Sequence, residues 1–119
     1  MRDGGQPEPP TIVVLTAAGI DAESAPLRQL LAGIEEESVP YEVLTADPAG
    51  ASELATAAAE RSSLEVGIGV ASDGSLAVTH RTLPDEAPLA VAPAPVADEV
   101  ARRLGRAAAR VVVGLPLDG

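Results

Sequence analysis

The chain contains no cysteine, no lysine, no tryptophan and no phenylalanine, and Tyr41 is its single tyrosine. Each absence removes a class of chemistry. Without Cys there is no disulfide, no thiol nucleophile and no thiolate metal site. Without Lys there is no amine for a Schiff base and no lysine for a phosphate loop. With aromatics at 1% of 119 residues and hydrophobic residues at 46%, the core must be built from Ala, Val, Leu and Ile, in closely packed elements. At roughly 25 cal/mol per Å² of apolar area, an Ala-rich helix face contributes little alone, so support from a partner chain is expected. Positive charge is also scarce: eight basic residues, all Arg, face 18 acidic ones, for a net charge of −10 and a pI near 4.3. Nucleic acid is thereby disfavoured as a partner, since affinity for it rests on neutralising phosphates. No apolar run is long enough to span a membrane and no signal-peptide core is present, so a cytoplasmic protein is expected.

What is present divides into strands and helices with clear punctuation. Residues 1–10, MRDGGQPEPP, combine Gly, Pro and polar residues and are expected to form a flexible leader, with one α/β domain over 11–117. TIVVLT from Thr11 reads as a strand buried on both faces. After a loop over Ala17–Ala22, Asp21 or Ser24 is expected to cap a helix with Pro26 in its first turn. Leu27, Leu30, Leu31 and Ile34 line one face of that helix, which runs to about Glu37. Tyr41–Thr45 reads as a second strand and Ser52–Arg61, rich in Ala, as a second helix with a small-residue face.

Ser62–Leu89 is the most informative stretch. Val66, Ile68 and Val70 alternate with Gly67, Gly69 and Ala71, the pattern of a strand with one bulky and one bare face. Asp73-Gly74 predicts a two-residue hairpin turn, and Leu76 and Val78 restart the alternation on the return strand. The glycines point to close approach of a helix on the bare face, with a ligand surface as the sharper alternative. Pro88–Pro93 reads as a short strand, Val96–Arg110 as a third helix, and VVVGLPL at the end as an extended segment suited to a sheet edge. The order predicts an α/β fold, three layers with a mixed, mostly parallel sheet of about five strands, one of them antiparallel through the 66–79 hairpin.

Four features are candidates for chemistry. Glu35, Glu36 and Glu37 crowd the last turn of a helix, where the dipole disfavours negative charge. They form either a solvated acidic end, a carboxylate ligand for a hard cation, or the acceptor for an Arg on a partner. His80 is the only histidine, but no G-x-S-x-G accompanies it, so a packed or surface residue is favoured over a catalytic base. Gly67-Ile68-Gly69 lacks the third glycine and the following helix of a dinucleotide fingerprint, and no phosphate loop exists. Arg102, Arg103, Arg106 and Arg110 lie on the last helix as a solvated face or a docking surface.

A family resemblance runs through these same residues. Glu35-Glu36-Glu37-Ser38-Val39-Pro40, Arg61-Ser62-Ser63, Val66-Gly67-Ile68-Gly69, Thr79-His80, Leu83-Pro84, Pro88-Leu89, Leu104-Gly105 and Leu115-Pro116-Leu117 occur in an order and spacing that resemble the small (β) subunit of diol/glycerol dehydratase reactivase. The likeness covers residues 11–117 and extends to the medium subunit of the B12-dependent dehydratases. It implies a non-catalytic subunit that pairs with a large ATPase subunit of Hsp70-like fold. The complex releases damaged cobalamin from an inactivated dehydratase, with the small subunit exchanging transiently onto the dehydratase large subunit. It further implies a divalent cation, Mg2+ or another, held mainly by the large subunit and reached by a helix-end glutamate. Glu36 is the matching position, with Glu35 or Glu37 as register alternatives.

Two places depart from the family pattern. Ala17-Ala18-Gly19-Ile20 stands where a polar, His-containing loop is usual, and Ala107 where an Asn is. The competing readings are a dehydratase subunit that helps bind cobalamin, and an independent α/β binding module.

Overall fold

In the computed structural model, residues 10–21, 23–84 and 87–112 are described. Residues 1–9 of the leader expected over 1–10 and the terminal Leu115-Pro116-Leu117 lie outside them. Five strands and three helices follow in the order β1 (Ile12–Ala17), α1 (Ala25–Glu36), β2 (Tyr41–Ala46), α2 (Ala51–Arg61), β3 (Val66–Val70), β4 (Leu76–His80), β5 (Ala90–Ala92) and α3 (Asp98–Val112). The strands form one mixed sheet in the spatial order β2-β1-β3-β4-β5. β1 pairs in parallel with β2 and β3, while β4 runs antiparallel to both β3 and β5. One strand of five is therefore reversed, as the hairpin pattern predicts.

Helices cover both faces of the sheet, and the alternation of side chains along β1 shows how. Ile12 and Val14 pack with Leu27, Leu30 and Ile34 of α1 and Leu104 and Ala108 of α3. Val13 and Leu15 point the other way, onto Leu54 and Ala58 of α2. All six residues of β1 are buried, which is why its sequence is a continuous apolar run rather than an alternating one. In β3 the same alternation puts Val66, Ile68 and Val70 on the α1/α3 side. Gly67 and Gly69 face α2.

Those two glycines do the packing work expected of them. A Cβ on Gly67 would collide with Ala59 N and Ala55 O and lie 2.7 Å from Ala58 C; one on Gly69 would meet Ala51 O and lie 2.5 Å from Ala55 N. No side chain separates α2 from this strand. The contact is main chain against main chain, made possible by the Ala residues on the helix face.

Three local expectations are corrected. The hairpin turn has three residues, not two: Ala71 N donates to Ser75 O at 3.0 Å, Gly74 N donates to Ala71 O at 2.8 Å, and only Gly74, at φ +93°, is left-handed. Asp73 serves instead as an acceptor, its Oδ1 taking bonds from Ser75 N at 2.9 Å and Ser75 Oγ at 2.7 Å, and these bonds hold its carboxyl below the usual range. Ser24 stands at the N-cap of α1 without a side-chain cap bond, and Asp21 accepts from Glu23 N at 2.8 Å, one turn early. Finally, Val111 and Val112 continue α3 instead of starting an extended segment. Both pack against the larger core, and that burial overrides the weak helix preference of β-branched residues.

Candidate functional site

The acidic end of α1 lies against α3, and glycine sets the distance. A Cβ on Gly33 would strike Arg102 O and lie 3.0 Å from Arg106 N, and one on Gly105 would strike Leu30 O and lie 3.0 Å from Ile34 N. The crossing is reciprocal: each helix offers a bare position to the other's backbone. The residues flanking these glycines are then held at short range. Gln29 and Glu36 flank Gly33 on α1, and Arg102 and Arg106 flank Gly105 on α3.

Their side chains interlock. Arg102 Nε donates to Glu36 Oε2 at 2.7 Å, and its Nη2 reaches the same oxygen. The remaining nitrogen, Nη1, donates to Gln29 Oε1 at 2.7 Å. Arg106 Nη1 donates to Glu36 Oε1 at 3.2 Å. The guanidinium bonds, Arg102 first and Arg106 second, lower the Glu36 carboxyl below its ordinary value against the opposing effect of desolvation. Glu36 remains more than one-third exposed at 38%. Its neighbours are engaged more loosely or elsewhere: Glu37 pairs with Arg110 at 3.8 Å, and Glu35 accepts from the Tyr41 hydroxyl at 2.7 Å. That bond to a carboxylate favours the protonated phenol and raises its pKa.

The counter-charge for this helix end is therefore intramolecular. The acidic end is not simply solvated, and the last helix is not simply a free basic face: Arg102, Arg106 and Arg110 turn to α1, while Arg103 points to solvent. The pairing spans 66 and 70 residues of sequence. One signal does foreshadow it. A glycine flanked at helical spacing by acidic or amide residues on one helix, and another flanked by arginines on a second, marks two faces built for each other.

Around this network lies a shallow groove of about 430 Å³ lined by Gln29, Glu36, Asp98, Glu99, Arg102 and Arg106. Among the described residues, no group of three or more His, Asp or Glu is placed to hold a metal ion. Glu36 is a hard oxygen donor at an exposed helix end, the donor type that divalent cations take, with both oxygens bonded to Arg102 and Arg106.

His80 ends β4, opposite Val66 at the start of β3. Thr82 N donates to its Nδ1 at 3.2 Å and Thr82 Oγ1 lies 3.0 Å from the same atom. Glu65 Oε1 is 3.7 Å from Nε2, beyond hydrogen-bond length. A hydroxyl, an imidazole and a carboxylate are thus in line, but the backbone N–H already occupies the Nδ1 lone pair that would have to accept the Thr82 proton. Ser62, also unassigned from sequence, has a structural task. Its Oγ donates to Thr11 O at 2.6 Å and accepts from Leu64 N at 3.0 Å, tying the α2–β3 loop to the start of β1.

Ion pairs from Glu36 and Glu37 to Arg102, Arg106 and Arg110 join the end of α1 to α3 beside a shallow groove. Residues 9–118 match the dehydratase medium subunit family model, and the chain belongs to that family. It is 34% identical over 107 residues to the propanediol dehydratase-reactivating factor small subunit of Citrobacter freundii, covering 90% of this chain and 89% of that protein. A probable glycerol dehydratase-reactivating factor small subunit from the same organism is 34% identical over 91 residues, covering 76% and 78%. Among solved structures, a glycerol dehydratase reactivase chain superposes with a TM-score of 0.85 at 35% identity, over 92% of this chain and 96% of that one. A diol dehydratase-reactivating factor complexed with ADP and Mg2+ superposes at 0.81 with 32% identity, over 92% and 97%. No helix among the described residues is long and apolar enough to cross a membrane.

Proposed function

We propose that this chain is the small subunit of a cytoplasmic factor that reactivates a B12-dependent diol or glycerol dehydratase. The observation that carries the reading is the near end-to-end match to reactivase small subunits, in fold and in length alike. In this reading the chain is non-catalytic, residues 11–117 act as one unit, and the ATPase activity resides in a large partner subunit. The complex expels damaged cobalamin while the small subunit exchanges onto the dehydratase large subunit. The cation, Mg2+ in a related complex, sits at the subunit interface. Glu36 supplies one carboxylate to it, with Glu35 and Glu37 as neighbours able to serve at a shifted register. When bound, the ion supplies a positive centre that joins carboxylates of two chains.

Their local contacts order the three glutamates. Glu35 is committed to Tyr41 beside β2, and Glu37 lies one residue past the helix. Glu36 projects into the groove with the α3 arginines. The direct test mixes the chain, the large subunit, ATP, Mg2+ and intact coenzyme with a dehydratase that has inactivated itself. Recovery of activity that requires both subunits is the expected result. Within that complex, Glu36→Gln should weaken Mg2+-dependent association of the two subunits about tenfold or more, while the isolated chain melts as a folded protein. Unchanged association at limiting Mg2+ removes Glu36 from the site.

The family model is named for the dehydratase medium subunit, which keeps one other reading in view: a subunit of the dehydratase itself, contributing to cobalamin binding. Binding of a cobalamin analogue by the purified chain without any partner would favour it.

A further inference from the structure

Both oxygens of Glu36 are already in use. Arg102 holds Oε2 through two nitrogens and Arg106 holds Oε1, so a cation approaching this carboxylate meets both guanidinia. A dication and two guanidinium groups around one carboxylate repel each other, so cation binding favours displacement of an arginine. The groove contains a place for it to go. Asp98 and Glu99 lie four and three residues before Arg102 on α3, the order in which an acidic residue best supports a following basic one along a helix. Both line the same groove as Glu36. A second set of carboxylates thus lies along the same helix as Arg102, at the spacing that lets side chains meet.

We infer that Arg102 and Arg106 form a latch that withholds Glu36 from the cation until a partner subunit presents one, and that the exchange transfers Arg102 to Asp98 and Glu99. This rests on the reading of Glu36 as a shared cation ligand. Two consequences follow for a chain on its own. Glu36 does not collect free Mg2+, and the bare helix end carries no uncompensated charge. The Mg2+ concentration needed for assembly is then set by α3, not by the glutamate alone.

The test measures association of the full-length chain with the large ATPase subunit across a Mg2+ titration, for the wild type, Glu36→Gln, and the double variant Arg102→Gln/Arg106→Gln. Removing the latch should lower the half-saturating Mg2+ concentration about fivefold, the scale of two partly exposed ion pairs. In the Glu36→Gln background the arginine substitutions should produce no further shift. If Glu36→Gln abolishes the Mg2+ dependence but the double variant leaves or raises the half-saturation point, the latch is overturned and the ligand reading stands. If Glu36→Gln has no effect, the ligand reading fails and the latch fails with it. A second measurement avoids substitution altogether: the Arg102 Nε–H resonance, protected in the free chain, should move and exchange faster on Mg2+-dependent assembly. An unchanged resonance overturns the latch.

Discussion

The two faces of the sheet are assembled on the same device and finished differently. On the α2 side, Gly67 and Gly69 lie under Ala51, Ala55, Ala58 and Ala59, and no charged side chain enters the contact. On the other side, Gly33 and Gly105 bring α1 against α3, but the residues flanking those glycines are Gln29, Glu36, Arg102 and Arg106. In a core without Phe or Trp, close approach of backbones replaces bulky side chains as the way to exclude water. Close packing is common to both faces, and charged pairs border it where α1 meets α3.

The largest expected effect comes from breaking the apolar face. Gly67→Val inserts a branched side chain where a single Cβ already meets three backbone atoms of α2, in a strand pinned on both sides by β1 and β4. A loss of about 3 kcal/mol or more is expected, read as a collapse of the melting temperature or failure to fold. Gly105→Ala tests the charged face and should cost less, about 1–3 kcal/mol. Two helices with solvent on their outer sides can part in a way that a central strand cannot. Its distinguishing readout is the weakening of the Arg102–Glu36 contact in side-chain NMR, which Gly67→Val need not disturb before unfolding.

The smallest effect is expected from pH, and its sign differs between groups. Glu36 and Asp73 have folded pKa values below their unfolded ones, so their contributions are present above the ordinary carboxylate range and fade as pH falls through the lowered values. Tyr41 is raised, so its contribution is present below its ordinary pKa near 10 and fades as pH climbs through the raised one. Melting temperature against pH should therefore fall at both ends. Tyr41→Phe should remove part of the alkaline limb and leave the acid limb alone.

Most of the fold was legible because its signals are local. β1 shows its double burial in a continuous apolar run, α1 shows its face in the spacing of Leu27, Leu30 and Ile34, and the glycines of β3 announce a helix above them. The hairpin was placed correctly and its turn was not. Asp-Gly is compatible with both a two- and a three-residue loop, and the choice depends on the bonds that Asp73 makes to Ser75. The end of α3 was misread because Val111 and Val112 prefer extended backbone until a core is there to receive them. The site was half legible. The acidic helix end stood out through the unfavourable dipole, Glu36 within it through the family pattern, and Arg102 and Arg106 as part of a basic face, but their pairing did not, because no local rule connects residues this far apart in the chain. Only the crossing of α1 and α3 makes them neighbours.

That crossing has one more consequence. With a glycine on each helix, the separation of Glu36 from Arg102 and Arg106 is dictated by main-chain atoms in contact, and no side chain between the helices can be trimmed or enlarged to retune it. The spacing is a hard stop rather than a spring. A change of reach at either end, as in Arg102→Lys, cannot be absorbed by the helices settling closer, so the length and fork of the guanidinium are as fixed a part of the design as its charge.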